Sequence, residues 1–168
     1  MAEPSELAQG LGKVLTNLLS LEVCLRLFLY DLQGLKRPTG GSTPPQHDFT
    51  NPTLGAWVPL TPLTSYETLG KLIRKVNSSL EERGREDRID PSLVDLRDAL
   101  AHGRVLSLKP EGPMRLVKFS KPCGDQVKVV ASVELTQEWL KQQTQRTWSE
   151  IQKVVQLSRE LGLAAFPA

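Results

Sequence analysis

Three side chains in the stretch Asp95–Arg104 have the types and spacing to do chemistry: Arg97, Asp98 and His102. An arginine keeps its charge and offers a planar fork of donors that fits phosphate or carboxylate. An imidazole can take and give a proton near neutral pH. Asp98 lies four residues before His102, so on a helix the two share a face and the carboxylate can hold the ring in one tautomer. Arg97 and His102 are five apart, about 140° around a helix axis. They converge only near a frayed helix end or across a subunit interface. The plain alternative for His102 is a helix C-terminal residue favoured by the macrodipole.

The element that must carry this stretch is a helix opened by Asp90-Pro91 and running to about His102, with Gly103 as its terminator. Leu93, Leu96 and Leu100 share one side, and Val94 and Ala101 flank it. Arg97 projects between these groups, inside the apolar arc, so its charge needs a partner or a wet cleft. A reciprocal anomaly sits near the N-terminus. Residues from about Ser5 to Gln33 read as a helix whose apolar arc holds Leu7, Leu11, Val14, Leu15, Leu18, Leu21, Leu25, Phe28 and Leu29. Glu22 falls inside that arc. The simplest reconciliation packs the two helices together and pairs Glu22 with Arg97. Such a pair either fixes helix register or orients Arg97 so that its remaining donors face an anion.

Between these helices, residues 34–63 carry six prolines and Gly40-Gly41, which excludes a long helix or a central strand. His47 reads as a solvent-exposed loop histidine, while Phe49 and Trp57 offer to pin the loop to the body. Thr64 to Glu67 has the capping-box pattern. The helix it opens places Leu69, Leu72, Ile73, Val76 and Leu80 at helical spacing. Residues 81–88 read as a solvated mixed-charge turn. After Gly103 the pattern changes to a β insertion over 104–134. Val105–Leu108 pairs with Met114–Phe119, and Gln126–Val133 follows a turn at Pro122–Asp125. Thr136 caps a last helix ending near Gly162, with Leu140, Trp148, Ile151, Val154, Val155 and Leu161 as its apolar positions.

The 168 residues suit one mainly α domain with a small antiparallel β insertion, and 39% apolar residues suffice for a core. A formal charge of +2 is compatible with a polyanionic partner. The basic residues Lys109, Arg115, Lys118, Lys121 and Lys128 form a local excess. Cys24 and Cys123 lack metal-ligand company and read as reduced thiols of a cytoplasmic protein. The apolar run Leu18–Tyr30 is too short to span a bilayer and is broken by Glu22 and Arg26, so no membrane partner is expected.

The string Leu96-Arg97-Asp98-Ala99-Leu100-Ala101-His102-Gly103, late in the third helix, resembles the signature of the HEPN superfamily (higher eukaryotes and prokaryotes nucleotide-binding). Members carry an arginine, usually a polar residue next, and a histidine after four to six intervening residues. The resemblance covers residues 5–33, 64–103 and 135–162 and leaves out the long loop and the β insertion. It implies an up-and-down helical bundle. Many members are metal-independent endoribonucleases that act as homodimers in toxin–antitoxin or phage-defence systems. That would make RNA the substrate, a second copy and a cognate antitoxin or regulatory protein the partners, and no cofactor or metal necessary. By position, the resemblance makes His102 the acid/base on the ribose 2′-hydroxyl or the leaving oxygen. Arg97 stabilises the phosphorane-like charge, Asp98 orients, and Arg104 contacts phosphate. Where adenylylation regulates the family, a tyrosine follows the histidine after one residue. Arg104 stands at that position here, so this regulation is not implied.

Three readings follow. One is an RNA-cleaving enzyme. The second is a catalytically silent HEPN-like module that binds RNA, a nucleotide or a partner protein. The third is a helical adaptor whose loop and hairpin form an interaction surface.

Overall fold

The elements follow in the order α1 (Pro4–Leu32), α2 (Leu69–Glu81), α3 (Leu93–His102), β1 (Arg104–Leu106), β2 (Arg115–Phe119), β3 (Val129–Glu134) and α4 (Gln137–Glu160). The structure, a computed structural model, describes residues 4–35, 54–55, 57–107 and 112–163. His47, Phe49, Lys109 and the connection at 108–111 lie outside the described residues. The protein is mainly helical with one small antiparallel sheet of order β1-β2-β3. The chain divides into two compact units, residues 1–21 with 89–153, and residues 22–88 with 154–168.

In the second unit, α2 buries the five residues its periodicity singles out, Leu69, Leu72, Ile73, Val76 and Leu80. Its start differs from the capping-box expectation. The helix begins at Leu69 after Thr68, which makes no side-chain cap. Thr64 instead closes a turn, where its hydroxyl accepts from the Thr61 amide at 2.8 Å and donates to the Pro59 carbonyl at 2.6 Å. The reason is Arg26. Its guanidinium donates to the carbonyls of Pro62, Ser65 and Glu67 at 2.7–3.0 Å. That holds residues 62–67 extended across α1 and uses backbone acceptors a helix there would need. Trp57 is 95% exposed and pins nothing. The mixed-charge turn is also more ordered than a solvated one. Gly84 has φ 69°, and the Arg85 guanidinium bridges Asp87 and Glu160.

In the first unit, the N-terminal half of α1 buries Leu7, Val14, Leu18 and Leu21. Leu15, expected in the same arc, is 45% exposed. Thr136 caps α4 as expected, accepting from the Trp139 amide at 3.0 Å. Trp148, read as a core position of α4, is 54% exposed. Asn17 donates to the Thr144 carbonyl at 3.1 Å and to Thr147 Oγ1 at 3.2 Å, which joins α1 to α4 by polar contact.

Asp90 anchors the entry to α3. Its Oδ1 accepts from the Ser92 amide and hydroxyl, and its Oδ2 receives the Arg146 guanidinium at 2.6 Å. The Asp90 amide donates to Glu150 Oε2 at 3.0 Å. Partial burial alone would raise the Asp90 pKa, but the hydrogen bonds from Ser92 and Arg146 outweigh it and hold it at about 2. A carboxylate with a depressed folded pKa contributes stability that is full above its unfolded pKa and is lost as pH falls through the folded value. Arg146→Met should therefore destabilise the protein by about 1–2 kcal/mol at pH 7, a discounted figure because the pair is partly solvated. The difference from wild type should shrink as pH falls from about 4 to about 2. Urea unfolding at pH 7, 4 and 2.5 reads this directly. A difference that stays constant with pH would remove Asp90 as the partner that matters.

Candidate functional site

The site is built where α3 ends and the sheet begins. The Gly103 amide donates to the Ala99 carbonyl at 2.8 Å, which completes the last turn. Gly103 then leaves in an extended conformation, φ −77° and ψ 171°, open to any residue. Its glycine identity is required by space. A Cβ here would stand 2.3 Å from the Ala99 carbonyl oxygen and 2.8 Å from Leu116 Cδ1. The chain therefore turns from α3 into β1 with its backbone pressed against β2.

The strands pair Arg104 with Val117 and Leu106 with Arg115, then Arg115 with Glu134 and Val117 with Ser132. Opposed residues of an antiparallel pair project to the same side. One face of β2 thus carries Leu116, which is buried, and Lys118. Lys118 Nζ lies 3.6 Å from Asp98 Oδ2, so this face meets α3. The other face carries Arg104, Arg115 and Phe119. The Arg104 guanidinium lies over the Phe119 ring, 5.4 Å from its centroid. Arg115 donates to Ser132 Oγ and lies 3.6 Å from Glu134.

On α3 the buried residues are Leu93, Leu96 and Ala99. Val94 and Leu100 are only half-buried and Ala101 is exposed, so the apolar arc is narrower than the sequence suggests. Arg97 stands at its margin rather than within it, with its side chain 38% exposed. Its Nη1 is 3.5 Å from Asp98 Oδ1. Asp98 therefore sits between two cations, Arg97 and Lys118. The expectation that it orients the imidazole is corrected accordingly, because both of its oxygens serve other partners. His102 is exposed and makes no hydrogen bond or ion pair among the described residues. Glu22, expected beneath Arg97, is half-buried on α1 and opens the second unit. Arg104, expected to contact phosphate, lies on an aromatic ring.

Lys118 is the residue sequence reasoning did not place at the site. It stood out only as part of the basic excess, and reaching Asp98 depends on the register of β2. The two ion pairs of Asp98 are long and half-exposed, a class worth about 0–1 kcal/mol each. An arriving phosphate can therefore compete with Asp98 for Arg97 and Lys118.

Among the described residues there is no group of three His, Cys, Asp or Glu side chains able to hold a metal ion. Cys24 and Cys123 are free, one buried and one exposed, and burial pushes the Cys24 thiol pKa up. No described helix is long and apolar enough to cross a membrane. Comparison with protein-family models, curated proteins and solved structures finds no match to the chain.

Proposed function

We propose that this protein is a metal-independent endoribonuclease of HEPN type that works as a homodimer, on a HEPN-like helical bundle. The observation that carries the reading is the exposed, unengaged imidazole of His102 at the open end of α3. A general base must be free to reach the proton it takes. In the proposed step His102 removes the ribose 2′-hydroxyl proton and O2′ attacks phosphorus. The P–O5′ bond breaks, and protonated imidazole returns a proton to O5′. The products are a 2′,3′-cyclic phosphate and a 5′-hydroxyl. Arg97, with Lys118 beside it, stabilises the charge that builds on the equatorial oxygens. A two-fold axis supplies a second copy of α3, which is how arginine and histidine on separate faces come to share one substrate. Such an activity would suit a toxin held by a cognate antitoxin, or a phage-defence effector.

A catalytically silent RNA-binding module is the second reading. It is favoured by Asp98, which occupies both Arg97 and Lys118 when no ligand is bound. The two are separated by incubating the purified protein with a labelled single-stranded RNA in EDTA. Cleavage that leaves 5′-hydroxyl and 2′,3′-cyclic phosphate ends is expected. Binding without cleavage selects the silent module, and neither binding nor cleavage removes both.

A further inference from the structure

We infer that the outer face of the β1–β2–β3 sheet is a track for single-stranded RNA, with the Arg104–Phe119 stack as the platform for a base. The substrate class rests on the RNA reading above. The residues are separate from Arg97 and His102, so the two proposals can fail independently.

The first observation is where the charge lies. Residues 104–134 carry six Lys or Arg against three Asp or Glu, whereas the rest of the chain carries fifteen against sixteen. The whole positive excess of the protein is in the β insertion, and a polyanion is the complementary occupant. The second observation is how that charge is presented. Arg115 is held by Ser132 and Glu134, and Lys118 is held by Asp98. Arg104 has no carboxylate partner among the described residues, and its guanidinium lies over Phe119. Lys121 and Lys128, near the tip of the β2–β3 hairpin, are exposed and in no ion pair among the described residues. Ser120, between Lys121 and Phe119, pairs with Lys128 across the hairpin, its amide donating to the Lys128 carbonyl at 2.8 Å.

A flat cation–aromatic stack beside unpaired lysines matches the chemistry of a nucleotide. The base stacks on the guanidinium or ring plane, and the lysines meet the backbone phosphates. An acidic peptide would use the lysines but not the stack. A duplex keeps its bases in their own stack and cannot offer one. The single strand is therefore the occupant that uses both features. Arg104 is two residues from His102, about 7 Å of extended chain, so the track begins beside the proposed site.

The test measures fluorescence anisotropy with a fluorescein-labelled 2′-O-methyl U12 strand, which has no free 2′-hydroxyl and so cannot be cut by 2′-oxygen attack. Phe119→Leu keeps apolar bulk but removes the ring, and should weaken binding by about 5- to 100-fold. Phe119→Tyr should bind within about two-fold of wild type, since the π face remains. Arg104→Ala changes an exposed position and tests the same stack should Phe119→Leu melt early. Removing Lys121 and Lys128 together should lower the slope of log Kd against log salt by about 1.4, at about 0.7 per phosphate lost. The inference is overturned by unchanged binding in Arg104→Ala and Phe119→Leu. Equal affinity for a 12-base-pair duplex, or equally strong competition by a glutamate 12-mer, also overturns it. If Phe119→Leu binds normally while His102→Ala stops cleavage, the track fails and the nuclease stands. If Phe119→Leu loses binding and wild type cuts nothing, the track stands and the nuclease fails.

Discussion

His102→Ala is expected to reduce RNA cleavage by about 10²- to 10⁴-fold, the usual worth of one positioned acid/base. Folding should be unaffected. The ring is exposed and has no hydrogen-bond or ion-pair partner among the described residues, so truncation strands no buried group. Surface substitutions of this kind stay within about 0.5 kcal/mol of wild type. The measurement pairs cleavage of single-stranded RNA in EDTA with a thermal melt. Asp98→Asn is the informative companion. Were Asp98 the group that orients the imidazole, its loss would cost activity on the scale of His102 itself. Its carboxylate faces Arg97 and Lys118 instead. The expected effect of Asp98→Asn is therefore less than about ten-fold, because it only releases two weakly held cations. Full cleavage by His102→Ala would remove the residue from the mechanism. A fall in Asp98→Asn as deep as in His102→Ala would restore the tautomer role.

The parts of this fold that the chain spells out locally were readable from it. The five apolar positions of α2 are buried because a 3.6-residue period leaves one face for the core and the sequence fills that face only. The three strands are bounded by turn residues, and Gly124, at φ 63°, opens the turn between β2 and β3. What was not readable depends on partners distant in sequence. Leu15 and Trp148 fit their helices' periodicity, but no element covers them, and spacing cannot report what a face meets. Arg26 looks like an interruption in an apolar run until residues 62–67 are placed across it. Their carbonyls then explain both the charge in α1 and the failure of the capping box. At the candidate site, the sequence put Arg97, Asp98 and His102 on one helix end. It misassigned the partner of Asp98 because Lys118 arrives through strand register, which no helical wheel contains.

Gly103→Ala is expected to destabilise the protein by about 2–4 kcal/mol, at or above the usual range for overpacking. Alanine has no rotamer with which to escape, and the nearest atom is a backbone oxygen of the helix's own last turn. Relief must come from lifting β1 away from β2 or unwinding the turn that ends at His102. Either movement shifts the imidazole relative to Arg97 and the sheet, so cleavage should fall further than the fraction of folded protein explains. Gly12→Ala is the control. Gly12 is also helical, but a Cβ there meets nothing within 4 Å. It should gain up to about 1 kcal/mol from helix propensity alone. Urea midpoints of the two variants against wild type separate a steric requirement from a conformational one. Gly103 has no positive φ to protect, so Gly103→Asn, which would be tolerated at a left-handed stop, should be at least as damaging as Gly103→Ala. A Gly103→Ala midpoint within error of wild type would mean that α3 and β2 can separate without cost, and the position of His102 would then not be set by this glycine.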